Sequence, residues 1–166
     1  LRHRQVPLLG VNFGKFGFLA EYELPELLVR LQDLVDDKLP KRQSLLLDVS
    51  VIYGDSTEER SVVNDVVLQR APNDRMSHVY AYYDGAKIAD YFGDGLILST
   101  PLGSTAYNLA AGGALMHPEL DSLILTPLCP HTLSLRPLTV PAGGEIELRV
   151  EGDDALAQSQ RSLEGG

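Results

Sequence analysis

Two short runs of this sequence carry side chains whose types and spacing could do chemistry. In Asp94-Gly-Leu-Ile-Leu-Ser-Thr-Pro-Leu-Gly-Ser-Thr-Ala-Tyr107, an apolar strand over Leu96–Leu98 meets a turn at Pro101 and Gly103 and passes directly into a helix start. The spacing predicts Ser104 or Thr105 as the helix cap. Backbone N–H groups free at such a start favour negative charge or a base edge, the hydroxyls add donors and acceptors, and Tyr107 offers a flat ring. The combination suits a nucleotide, and equally an ordinary strand–turn–helix corner. In the second run, Asn64-Asp65 interrupts an apolar stretch, with Val62-Val63 before it and Val66-Val67-Leu68 after it. Polar groups at positions where a strand expects packing need partners. A bulge or turn would supply them. Alternatively, the Asn64 carboxamide meets an adenine or a phosphate, and the Asp65 carboxylate, an acceptor only, takes two vicinal ribose hydroxyls.

Other chemistry is limited. Asp94 is either a turn former between strands or a ligand contact, and Asn108 and Ala110 lie within one helical turn of Thr105–Tyr107 and could line the same pocket. His3, His78, His117 and His131 share no metal-ligand spacing. Neither a Gly-x-Ser-x-Gly nucleophile elbow nor a Walker A loop occurs, which removes the hydrolase and P-loop readings. The lone cysteine, Cys129, excludes an intrachain disulfide and reads as a small buried hydrophobe.

The elements that must position these residues fall into two groups. Before residue 44 the pattern predicts a strand over Val6–Val11, a bend through Asn12, Gly14 and Gly17, and a helix from Pro25 to about Asp37 with Leu27, Leu28, Leu31, Leu34 and Val35 at helical spacing. From Ser44 onward it predicts strands at Leu45–Tyr53, Ser61–Gln69, His78–Asp84, Lys87–Phe92, Leu96–Ser99, Ser122–Thr126, Leu138–Val140, Glu145–Val150 and Ala155–Ser162. Asp84-Gly85 marks a hairpin, and a helix from Thr105 to about Ala111 ends at Gly112-Gly113. This density of short strands predicts a mainly β fold with two sheets: residues 1–43 form a short α/β segment or linker, and 44–166 an all-β domain.

The chain has 166 residues, 44% hydrophobic and 22% charged, enough for one or two real cores. A net charge of −9 and the lack of a basic stripe disfavour nucleic acid. No apolar run approaches the ~20 residues that span a bilayer, so no membrane role is expected.

These residues resemble the NAD kinases, ATP-dependent enzymes that phosphorylate NAD to NADP. Besides the Asp94–Tyr107 stretch and Asn64-Asp65, the likeness runs through Gly10-Val-Asn-Phe-Gly-Lys-Phe-Gly-Phe-Leu19, Ala111-Gly-Gly-Ala-Leu-Met-His-Pro118 and Thr126-Pro-Leu-Cys-Pro-His-Thr-Leu-Ser-Leu-Arg-Pro-Leu138, collinear from about Val6 to about Val150. The resemblance implies transfer of the γ-phosphoryl of ATP, or of inorganic polyphosphate, to the 2′-hydroxyl of the adenosine ribose, with Mg²⁺ carried by the donor. It implies NAD contacts from Asn64, Asp65, Asp94, Thr105, Ala106, Tyr107, Asn108 and Ala110. Arg75 matches a basic or His position of the family, although a solvated turn residue reads as well there, and His131 would line the nicotinamide side, although a core or turn histidine reads as well. Asp94 would reach the nicotinamide of NAD bound mainly to a neighbouring subunit, in a cytoplasmic homodimer or homotetramer. The family's catalytic Gly-Gly-Asp-Gly belongs upstream of the first strand and does not occur here. By context Gly93-Asp94-Gly95 matches the second Asp-Gly of the family, so no catalytic residue is expected in this chain, which reads as a portion of a kinase. Leu102 replaces a usual hydroxyl residue and Phe92 a frequent Arg. A lipid kinase of the diacylglycerol or sphingosine type and a non-catalytic nucleotide-binding or oligomerisation module are the alternatives.

Overall fold

A computed structural model describes residues 7–14, 20, 22–72, 74–132 and 134–151, and the backbone of 155–161. The chain divides into two compact units, residues 1–43 and 44–166.

In the first unit, β1 (Val11–Asn12) pairs in parallel with β2 (Tyr22–Glu23). Residues 7–10 are not in a strand, so the strand expected over Val6–Val11 is confined to its end, and Val6 and Gly17 lie outside the described residues. The Asn12 side chain accepts the Gly14 N–H at 2.8 Å and closes the bend. The single helix expected from Pro25 is two: α1 (Leu24–Val29) and α2 (Leu31–Val35), broken at Arg30 with φ −100° and ψ 13°. A helix in a protein is held mainly by the apolar face it buries. Only Leu27 is buried here, with Tyr22, Leu39 and partly Val11, while Leu28, Leu31, Leu34 and Val35 remain exposed.

The second unit is two antiparallel sheets on one core. The larger contains β3 (Leu47–Tyr53), β4 (Ser56–Val62), β6 (Ser77–Tyr83), β7 (Ala86–Gly93), β11 (Ile146–Val150) and β12 (Ala155–Arg161), in the order β4-β3-β12-β11-β6-β7. The smaller contains β5 (Asp65–Gln69), β8 (Gly95–Ser99), β9 (Ser122–Leu128) and β10 (Leu138–Pro141), in the order β10-β9-β8-β5. Alternate residues of both sheets, including Leu47, Val49, Val79, Ala81, Leu96, Leu98, Leu123, Leu125, Ile146 and Leu148, meet in a single apolar cluster. The β6–β7 hairpin turns through Asp84 (φ 47°) and Gly85 (φ 78°), the left-handed pair that the Asp-Gly signal requires.

Two expectations are corrected. The segment Ser61–Gln69 is not one strand: β4 ends at Val62 in the large sheet, β5 begins at Asp65 in the small one, and Val63-Asn64 is the link. Its early half escaped notice because Ser56-Thr-Glu-Glu-Arg-Ser61 is polar throughout and sits on an exposed edge. Cys129 is exposed, with φ 43°, rather than buried, since it lies in the turn just after β9.

β8 explains why Gly95–Ser99 has no alternation: all five residues are buried. Leu96 and Leu98 face the other sheet, and Ile97 and Ser99 face outward beneath the segment 100–116. Register then places Asp65 opposite Ser99, and Val67 and Thr126 opposite Ile97, on that same covered face. Strand periodicity thus delivers Asp65 to the corner.

Candidate functional site

The corner is built from hydroxyls folded back on the backbone. Thr100 Oγ1 donates to Val63 O at 2.7 Å and accepts the Gly103 N–H at 3.0 Å, while the Thr100 N–H donates to Asn64 O at 2.9 Å. Ser104 Oγ donates to Pro101 O at 2.6 Å and accepts the Met116 N–H at 3.0 Å, and Thr105 Oγ1 donates to Leu102 O at 3.0 Å. The expected cap is therefore corrected: the chain makes a 3-10 turn over Gly103–Thr105, breaks at Ala106, and starts α3 (Tyr107–Ala110) with no side-chain cap. The N–H groups of Ser104 and Ala106 are likewise taken, by Thr100 O and Gly103 O, rather than left free. Gly103 is required by contact: a Cβ there would overlap the carbonyl of Asn64.

Asn108 is fully buried. Its Nδ2 donates to Ser104 O and Ala114 O, both at 3.1 Å, and its Oδ1 accepts from Thr126 Oγ1 at 2.6 Å. These bonds fasten α3 to β9, so the amide braces the corner, and its polar atoms are already engaged within the protein. Gly113 closes over it, since a Cβ there would strike the Asn108 side chain.

Against this satisfied scaffold one atom stands out. Asp65 Oδ2 is buried and has no hydrogen-bond partner. Burial pushes the Asp65 carboxyl above the usual carboxylate range, an effect partly offset by the Tyr107 backbone N–H. The structure thus brings Asn64, Asp65 and Tyr107 together, with Tyr107 44% exposed and Ala106 and Ala110 also at the surface.

The other candidates lie elsewhere. Asp94 precedes β8, whose far end faces Asp65, roughly 17 Å away along the strand. Its Oδ1 accepts the Arg70 Nε–H at 2.7 Å. His131 donates its N–H to Phe92 O at 2.9 Å and sets its ring 5.7 Å from the Phe92 ring. Arg75 is exposed in the segment leading to β6. No described contact joins Arg75 or His131 to the Asn64–Tyr107 group. Sequence reasoning missed Arg70, Thr100 and Thr126; Arg70, the charge that ends the apolar run of β5, was the legible one. Among the described residues no cluster of three or more His, Cys, Asp or Glu could hold a metal ion.

A two-sheet β domain with a polar, hydroxyl-rich corner over its smaller sheet is the class that fold and site define. Residues 63–163 match the ATP-NAD kinase C-terminal domain, and the chain belongs to that family. It is 40% identical over 149 residues to an NAD kinase of Geotalea daltonii, covering 89% of this chain and 52% of that protein. With an NAD kinase of Moorella thermoacetica it shares 44% over 144 residues, 87% of this chain and 46% of the relative. The chain spans about half the length of the curated relatives it matches. Its fold superposes on yeast NADH kinase complexed with NADH at a TM-score of 0.86, with 27% identity over 97% of this chain and 53% of that one. An NAD kinase from Archaeoglobus fulgidus in complex with ATP gives 0.73, with 26% identity over 94% and 65%. Among the described residues no helix is long and apolar enough to cross a membrane.

Proposed function

We propose that this chain supplies the dinucleotide-binding part of an NAD kinase, in which the 2′-hydroxyl of the adenosine ribose attacks the γ-phosphorus of ATP, or the terminal phosphorus of polyphosphate. The new bond from the ribose oxygen to phosphorus gives NADP, the bond from that phosphorus to its bridging oxygen breaks and releases ADP or the shortened polyphosphate, and the hydroxyl proton passes to a carboxylate base. Mg²⁺ would enter with the phosphate donor. The observation that carries the reading is the unpartnered Asp65 Oδ2 beside Tyr107: a buried acceptor with no donor is complementary to ribose hydroxyls. Asn64 would add its carboxamide, Tyr107 a ring, Ala106 room for close approach, and Thr105 and Ala110 the rim. Asp94 and His131 would serve the nicotinamide end, across a subunit boundary in a cytoplasmic homodimer or homotetramer, and Arg75 would bring positive charge. Asn108 is assigned to bracing. The test is calorimetry with NAD on the intact protein and its Asp65→Asn variant, alongside NADP formation from NAD and ATP. NAD binding weakened at least tenfold by the variant is expected. Equal binding by both, or preferential binding of a diacylglycerol or sphingosine, would overturn the reading.

A further inference from the structure

We infer that Arg70 is a positioning residue of the dinucleotide site, holding the Asp94 carboxylate in the orientation in which it meets ligand; this rests on the reading of Asp94 as a ligand contact. Asp94 is the one residue between β7 and β8, where the chain leaves the large sheet for the small one. Its backbone is clamped. The Asp94 N–H donates to Leu128 O at 2.9 Å, and its carbonyl accepts the Arg70 N–H at 3.1 Å. A Cβ on Gly93 would come within 2.7 Å of Leu128 O, and one on Gly95 would overlap the Leu68 carbonyl. With glycine necessary on both sides, the remaining freedom at Asp94 is rotation of its own side chain.

Arg70 removes that freedom. Its Nε–H donates to Asp94 Oδ1 at 2.7 Å while Nη1 donates to Asp74 O at 2.9 Å, so the guanidinium is itself held at two different atoms. The planar fork fixes both donors in one rigid geometry, whereas a lysine ammonium would present a flexible point charge. The pair lies at the surface, the two side chains 30% and 31% exposed, on an open depression of about 240 Å³ lined by Gln69, Arg70, Ala71, Pro72 and Asp94. An ion pair this exposed adds little to folding. Its effect is to fix a carboxylate before ligand arrives, which lowers the ordering cost of binding.

The test compares Arg70→Gln, Asp94→Asn and the double variant in the intact protein, by steady-state kinetics and thermal unfolding. Arg70→Gln is expected to raise KM for NAD about tenfold, with kcat and KM for ATP within about twofold and an unchanged thermal midpoint, and the double variant to be no worse than Asp94→Asn alone. A normal KM in Arg70→Gln, effects that add in the double variant, or a lowered midpoint accompanied by loss in every kinetic constant would each overturn the inference. If Asp65→Asn loses NAD while Arg70→Gln and Asp94→Asn do not, this inference alone falls. If none of the three affects NAD, the functional reading falls with it.

Discussion

The two sheets of the second unit share one core but carry opposite outer faces. On the large sheet, His78, Tyr80 and Tyr82 of β6 lie beside Asp90, Lys87, Glu147, Arg149 and Glu151, with Lys87 Nζ 4.3 Å above the Tyr80 ring and the Arg149 guanidinium 4.6 Å from the Tyr82 ring. These groups are half-buried or exposed and paired with neighbours on the same surface. On the small sheet the outward residues Ser99 and Thr126 are buried beneath the corner and bonded into it. Water can satisfy any polar group on the first face, so an incomplete pairing there is uninformative. On the second face the buried groups are shielded from bulk water, and among the described residues one carboxylate oxygen, on Asp65, is left without a partner.

The contrast can be broken most severely at Asn108. Asn108→Leu keeps the branched outline but strands two carbonyls and the Thr126 hydroxyl, and should cost about 4 kcal/mol in chemical denaturation. Gly103→Ala should cost about 3 kcal/mol and abolish NAD binding in calorimetry, because the obstacle is the Asn64 backbone and not a side chain that could turn aside.

Asp65→Asn sharpens the comparison by acting in two directions, weakening NAD while stabilising the free protein. Because burial raises the Asp65 carboxyl, the folded state holds that proton more tightly than the unfolded chain. Its stabilising contribution is complete below the ordinary carboxylate value near ~4 and is lost as pH rises through the raised one. The thermal midpoints of wild type and variant should therefore coincide near pH 4 and separate by a few degrees, variant higher, at pH 7. Arg149→Ala, on the open face, should leave the thermal midpoint essentially unchanged, with any loss shrinking in high salt.

Strands with alternating apolar residues were legible to within a residue or two: β6 and β7 with their Asp-Gly turn, β11, and β8 as an unbroken apolar run. What escaped was set by tertiary placement. β4 has no apolar alternation because it lies on an exposed edge, so its polar sequence gave no strand signal. The helix of the first unit divides at Arg30, and among the described residues its stripe of leucines buries Leu27 alone. At the site, Asn64-Asp65 announced itself as polarity inside an apolar run, and its meeting with Tyr107 is now a matter of register. The hydroxyls of Ser104 and Thr105 looked like caps, and sequence could not tell that each bonds backward to the turn instead. Asn108 shows the same limit: position on a short helix suggested a pocket wall, whereas Thr126, eighteen residues on, decides its partner.

The link Val63-Asn64 joins the last residue of one sheet to the first of the other, and it is also what Thr100 and Gly103 hold from beneath. A molecule seated on Asn64 would thus press on a mechanical splice and not on a passive wall. Occupancy should slow amide hydrogen exchange at Leu47–Val62 as well as at Asp65–Gln69, carrying news of a small ligand into strands that never touch it.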